Sequence, residues 1–304
     1  MSILVPPIKC QGIKTKLVPT IQRAMPQPIE GTWIEPFCGS GVVALNVRPQ
    51  RALLADSNRH IIELYRAIQS GMVTQGRVRA YLEEEGRKLA QGGVGYYMEV
   101  RARFNEAGSP LDFLFLSRSC FNGVMRFNSK GKFNVPFCHK PERFAPAYIT
   151  KIVNQVGALG DVLRGRDWRF EVQDFRITLA QAQSHDFVYA DPPYAGRHVD
   201  YYNSWKEKDE ETLVHMLQQL PCNFLLSTWY GNKYRDNPSV MRYWQHPNFY
   251  ISTFEHFYHV GSTEDLRNSM TEALISNYAH ISPDEVGAEM RNNRLETVQL
   301  AMQF

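Results

Sequence analysis

The sequence predicts an α/β protein built on a doubly wound, mainly parallel sheet. Three observations carry that expectation: short apolar runs that each end in polar or turn residues, helical patterns between them, and alternation of the two along most of the chain. Thr32-Trp33-Ile34 leads into Glu35-Pro36-Phe37-Cys38-Gly39-Ser40-Gly41, and Arg51-Ala52-Leu53-Leu54-Ala55 leads into Asp56. Asp186-Phe187-Val188-Tyr189-Ala190 leads into Asp191, and Asn223-Phe224-Leu225-Leu226 into Ser227. Buried parallel strands read this way, with functional groups at their carboxyl ends. Helices are expected to start at Val42 and to cover residues 59–69 and 210–220. Residues 249–256 and 272–277 read as two strands joined by a polar segment, an antiparallel pair at one side of the sheet.

Residues 71–150 break the alternation. They hold a charged helical stretch over 77–89, then Gly92-Gly93-Val94-Gly95, and then two polar and aromatic segments, Arg118-Ser119-Cys120-Phe121-Asn122-Gly123 and Phe127-Asn128-Ser129-Lys130-Gly131-Lys132-Phe133-Asn134. Alternation around Ser129-Lys130-Gly131 signals a hairpin, with Gly131 free to take positive φ. The expected organisation is therefore a sheet domain from residues 1–70 and 151–304, with 71–150 inserted between its halves.

Composition narrows the function classes. The 304 residues are 43% apolar and 12% aromatic, enough for a substantial core. A formal net charge of +3 permits a nucleic-acid partner without arguing for one. The five cysteines, Cys10, Cys38, Cys120, Cys138 and Cys222, are odd in number and lack C-x-x-C spacing. That disfavours a disulfide framework and a zinc site and makes a reducing cytoplasm the expected setting. No leader pattern and no membrane-spanning apolar run are visible.

Asp191-Pro192-Pro193-Tyr194, after an apolar strand, carries the sharpest chemical signal. An exocyclic amine on a nucleobase is a poor nucleophile because its lone pair is delocalised into the ring. Two acceptors near the amine hydrogens pull the nitrogen toward tetrahedral geometry and stabilise its developing positive charge. The Asp191 carboxylate is one such acceptor; the carbonyl of Pro192, held by the rigid prolines, is the other. Tyr194 is expected to stack on a base taken out of the duplex. The glycine-bearing turn at residues 35–41 lets a ligand approach the backbone, although an ordinary β–α turn reads the same way. It is neither a G-x-G-x-x-G fingerprint nor a Walker A loop, which disfavours a dinucleotide-dependent oxidoreductase. Asp56 ends the next strand, where an acid either accepts from ribose hydroxyls or caps the helix near Ser57-Asn58. The pair suits a nucleoside cofactor. Lys9, Gly12 and Lys14 sit in a lysine-rich stretch that on composition alone reads as a solvated face, and Asp174-Phe175 follows a strand-like run where an Asp also serves as a turn residue.

In this order, the motifs resemble the DNA adenine methyltransferase (Dam) family, in the alpha group of amino-methyltransferases, along nearly the whole chain. Lys9 to Lys14 is similar to the N-terminal cofactor motif, residues 35–41 to the glycine loop, Ala55-Asp56-Ser57-Asn58 to the ribose-binding region, Asp174-Phe175 to the adenine-recognition motif and residues 191–194 to the catalytic motif. Phe121-Asn122-Gly123 and Lys130-Gly131-Lys132-Phe133-Asn134-Val135-Pro136-Phe137 look like the family's DNA-contacting hairpin, the segment peculiar to this group. Cys10-Gln11-Gly12-Ile13-Lys14 departs from the family's F/W-x-G-G-K by keeping one glycine and the lysine.

The resemblance implies a Rossmann-like methyltransferase sheet with a mainly helical and β-hairpin recognition insert. It implies S-adenosyl-L-methionine as methyl donor and an adenine in double-stranded DNA as target. By carry-over, Lys9, Gly12, Lys14, Glu35, Pro36, Phe37, Cys38, Gly39, Ser40, Gly41, Asp56, Ser57, Asp174, Phe175 and Asp191 are the expected cofactor residues. Arg118, Asn122, Gly123, Arg126, Asn128, Lys130, Lys132 and Asn134 are the expected DNA contacts. No metal is expected, because a sulfonium methyl is already activated. A monomer, with a restriction endonuclease as a functional partner, completes the expectation. Cytosine N4, an adenine in RNA, and a non-catalytic DNA-binding relative remain the alternatives.

Overall fold

The computed structural model describes residues 3–10, 12–194, 205–232, 235–257 and 269–280. The chain runs α1 (Val18–Ala24), β1 (Trp33–Glu35), α2 (Val42–Val47), β2 (Arg51–Asp56), α3 (Arg59–Gln69), α4 (Gln75–Ala107), α5 (Pro110–Ser119), α6 (Pro146–Leu163), β3 (Asp167–Val172), α7 (Phe175–Leu179), β4 (Phe187–Ala190), α8 (Glu207–Gln218), β5 (Asn223–Asn232), β6 (Arg235–Asp236), α9 (Pro238–Tyr243), β7 (Tyr250–Phe257) and β8 (Ser269–Ser276). One eight-stranded sheet has the order β3-β2-β1-β4-β5-β8-β7, with β6 paired to the end of β5. Strands β1 to β5 are parallel; β8 pairs antiparallel with both β5 and β7.

Strands β1, β2 and β4 are short and mainly apolar because both faces are covered. On one face Trp33, wholly buried, stacks on Phe187 at 5.3 Å and Tyr189 at 5.8 Å between ring centres. On the other, Ile34, Val188, Phe224 and Ile275 meet Leu179 of α7, Leu213 and Leu217 of α8 and Trp244, the C-cap of α9. Strand order reverses direction between β1 and β4, and that switch point opens a crevice beyond their carboxyl ends. The glycine turn follows β1 and Asp191 follows β4, so the topology alone brings the two strongest motifs to the same crevice.

The expected helix over 77–89 is part of α4, which turns back on itself. Gly93 has φ 53° and ψ −129°, a conformation L-residues avoid. Eighteen residues of straight helix span about 27 Å, yet Arg103 lies 2.7 Å from Glu85, and Tyr96 also bonds Glu85 at 2.7 Å. The two arms, 75–92 and 94–107, therefore pack antiparallel, fastened by Glu85, Arg103, Asp112 and Tyr81. The buried apolar residues of 71–150 belong to the same cluster as Trp33, Ile62 and Leu64, so this segment packs on one face of the sheet.

Candidate active site

The turn after β1 is shaped by ties to its neighbours. Gly39 and Gly41 have φ of 48° and 62°, which only glycine adopts at low cost. The Gly39 amide donates to Asp56 Oδ2 and the Asn58 amide to Asp56 Oδ1, both at 2.8 Å, so Asp56 binds the turn to the end of β2. Burial nonetheless pushes the Asp56 carboxyl up from its ordinary value. The cap of α3 is Asn58, whose side chain accepts from His60, which settles the capping alternative for Asp56. Glu35 is buried, and its Oε1 accepts from the Trp33 indole and the Ala44 amide in the first turn of α2, both at 2.9 Å. Desolvation raises its carboxyl to about 8. Pro36, Cys38, Ser40 and Gly41 are buried as well; Phe37 and Gly39 are the turn residues that keep exposed surface. The Glu35 side chain thus holds the turn from inside, and Phe37 and Gly39 keep surface open to solvent.

Phe37 stacks on Phe175 at 5.4 Å and meets the edge of Trp205 at 5.5 Å. Asp174 caps α7 by accepting from the Arg176 amide at 2.9 Å. It also pairs with the Arg176 guanidinium, which reaches Asp209 on α8 at 2.5 Å. Ser57 is half-buried beside Asp56. Asp56, Phe37, Asp174 and Phe175 therefore form one wall over the ends of β1, β2 and β3.

Asp191-Pro192-Pro193-Tyr194 follows β4, across the switch point from the glycine turn. Asp191 Oδ1 is 3.0 Å from Lys14 Nζ. The same ammonium donates to the Tyr194 phenol at 2.7 Å and lies 4.8 Å over its ring. Tyr194 in turn donates to Glu272 Oε2 at 2.6 Å and packs on Trp229. Burial pushes Asp191 up to about 6; Lys14 pulls it down and Glu272 pushes it up further. Lys14, 4% exposed, is no solvated lysine: it joins Asp191 to Tyr194. Gly12, with φ 72°, precedes it, and Gln11 lies outside the described residues. Lys9 lies apart, against the insert: a Cβ built on Gly123 would sit 2.6 Å from Lys9 Cδ. Pro192 is buried and Pro193 half-buried.

The expected hairpin forms. Phe127 bridges Phe133 and Cys120 bridges Phe137. Asn128 Oδ1 accepts from the amides of Lys130 and Lys132 at 3.0 Å each, and Gly131 takes φ 69°. Asn105 on α4 clamps Phe133 through both its amide and its carbonyl. The tip bearing Asn128, Lys130 and Lys132 is exposed, as is Asn122 with φ 54°. Arg126 donates to Asn134 Oδ1 at 2.9 Å, and both are half-buried.

Arg118 requires a correction. It is 4% exposed and donates to the Pro7 carbonyl at 2.5 Å, the Pro6 carbonyl at 3.3 Å and Gln155 at 2.5 Å. It ties the N-terminal segment to α6 and cannot reach a phosphate. Glu272, Trp229 and Trp205 went unnoticed in the sequence. A lone acid opening Glu272-Ala273-Leu274-Ile275 was the one available signal, since glutamate is a poor strand former.

Comparison with known proteins identifies the family. The family model of D12 class N6 adenine-specific DNA methyltransferases matches residues 11–265. A DNA adenine methylase of Serratia marcescens is 30% identical over 80% of this chain and 88% of its own length. A DNA adenine methylase of Vibrio cholerae (strain O395) is 32% identical over 62% of this chain and 64% of its own length. The type II methyltransferase M.FokI of Planomicrobium okeanokoites is 27% identical over 90% of this chain, which spans 43% of M.FokI. The chain belongs to the D12 class of N6 adenine-specific DNA methyltransferases.

Proposed function

We propose that this enzyme methylates N6 of an adenine flipped from duplex DNA, with S-adenosyl-L-methionine as donor and Asp191, Pro192 and Tyr194 holding the base. The observation that carries the reading is the Asp191 carboxylate. It is anchored on one oxygen by Lys14, sits at the switch point, and keeps 22% of its side chain exposed. Among the described residues nothing bonds Oδ2. That oxygen and the Pro192 carbonyl accept the two amine hydrogens, and Tyr194 stacks on the ring. Acceptance by Asp191 raises electron density on N6 and stabilises the charge that grows there. The proton then leaves through Asp191 or water.

The residues present fit the donor. Phe37, Phe175 and Asp174 offer an aromatic and polar wall for an adenine, Asp56 lies beside it for ribose hydroxyls, and Gly39 leaves open space where a Cβ would stand. When bound, the cofactor supplies a sulfonium methyl. Positioning is this chain's contribution to the rate.

Because the ionised carboxylate is the accepting form, kcat is present above the Asp191 value of about 6 and falls as pH drops through it. A pH–rate profile flat from pH 5 to 8 would remove Asp191 from this role. The exposed hairpin tip supplies the DNA contact. Lys130→Ala and Lys132→Ala are each expected to lower the slope of log affinity against log salt by about 1, with cofactor binding unchanged. A slope left intact places phosphate contact elsewhere.

The relative named as a type II methyltransferase supports a restriction endonuclease as functional partner. DNA as substrate supports action in the cytoplasm, at the nucleoid. The deciding experiment is modified-base sequencing of unmethylated plasmid treated with protein and S-adenosyl-L-methionine. N6-methyladenine at one short sequence establishes the reaction and its target; N4-methylcytosine, or no modified base, refutes it.

A further inference from the structure

Glu272 lies on β8, 78 positions from Tyr194 along the chain, with no exposed surface. A buried charge persists only when paired and hydrogen-bonded. Register places it opposite Trp229 on β5 and Phe254 on β7, and its carboxylate accepts the short bond from Tyr194. The result is an unbroken row: Asp191 Oδ1, Lys14 Nζ, Tyr194 Oη and Glu272 Oε2, at 3.0, 2.7 and 2.6 Å. Among the described residues, Lys14 lies between the two carboxylates, and the phenol links it to Glu272.

The row has a mechanical consequence. A tyrosine that stacks on a base must hold its ring plane, and an ammonium beside Asp191 must not drift across both carboxylate oxygens. A phenol bonded only to Lys14 would swing with that flexible side chain. Bonded also to a glutamate fixed in the sheet, it gives both groups a rigid reference. Charge-assisted hydrogen bonds of this kind are the strong ones, and each member polarises the next. Lys14 then stays on Oδ1.

We infer that Glu272 is a positioning residue for methyl transfer, acting through the Tyr194 phenol to hold the stacking ring and to keep Lys14 on one oxygen of Asp191. The inference rests on the proposed roles of Asp191 and Tyr194 in the reaction.

The test is steady-state methylation of duplex DNA by the wild type, E272Q, E272D, Y194F and E272Q/Y194F, with cofactor affinity and melting temperature measured for each. E272Q is expected to lower kcat by on the order of 10- to 100-fold, as small misplacements at a reacting centre do, with cofactor affinity within about twofold of wild type. Its acid limb moves to lower pH, because the negative charge that raises Asp191 is gone. E272D retains the charge but withdraws it by one methylene, so kcat falls while the acid limb stays; this variant also serves if E272Q does not fold. The double variant is expected to match Y194F, since the proposed effect runs through the phenol. Wild-type kcat in E272Q or E272D overturns the inference, as do losses that multiply in the double variant. If the wild type forms no N6-methyladenine, the proposed function itself fails, and this inference with it.

Discussion

Replacing Asp191 by alanine is expected to abolish turnover, with a fall in kcat of at least about 10²- to 10³-fold, while S-adenosyl-L-methionine still binds. The two outcomes separate because Phe37, Asp56, Asp174 and Phe175 stand over β1 to β3, whereas Asp191 follows β4 and is held from behind by Lys14. Truncation removes the acceptor at Oδ2 and releases Lys14, leaving a cation where positive charge must develop on N6. Calorimetric titration with cofactor and a single-turnover methylation assay on the same preparation provide the check. Normal methylation by D191A would dismiss the catalytic assignment. Loss of cofactor binding would show that Asp191 belongs chiefly to the cofactor wall.

Arg118→Ala is expected to lose about 2–4 kcal/mol of stability, with the DNA salt slope of the folded protein unchanged. The side chain is buried, and desolvation lowers its value from the ordinary guanidinium range. Its removal leaves the carbonyls of Pro6 and Pro7 and the Gln155 oxygen without the donor they share. Buried acceptors stripped of a donor cost more than the bond itself contributed. Chemical denaturation measures the first quantity and a salt titration of DNA affinity the second. A stable variant with a shallower salt slope would return Arg118 to the DNA interface.

The two variants mark where local pattern suffices and where it fails. An apolar run ending in Asp-Pro-Pro-Tyr announces a strand and the chemistry at its end, because both depend on neighbours in sequence. The same holds for the glycine turn, for α3 at Arg59–Gln69 and for the hairpin tip, where Asn128 and Gly131 make the turn by themselves. Arg118 looks like Lys130 and Lys132 in composition, all basic residues beside a hairpin. Only the path of residues 6–7 across α5 decides that one is interior and the others exposed. The helical stretch is legible only over 77–89, because antiparallel packing of the arms of α4 depends on Glu85 meeting Arg103.

The sequence by itself determined the alternating α/β order and the place of the glycine turn and of Asp191-Pro192-Pro193-Tyr194 at strand ends. Periodicity, proline stiffness and glycine φ are properties of a few adjacent residues. The tertiary structure alone decided that Lys14, 180 positions from Tyr194, would join it to Asp191, and that β8 would bring Glu272 to the far side of the same phenol. Those are meetings of groups remote along the chain. Strand order and register create them, and the cost of burying unpaired charge holds them in place.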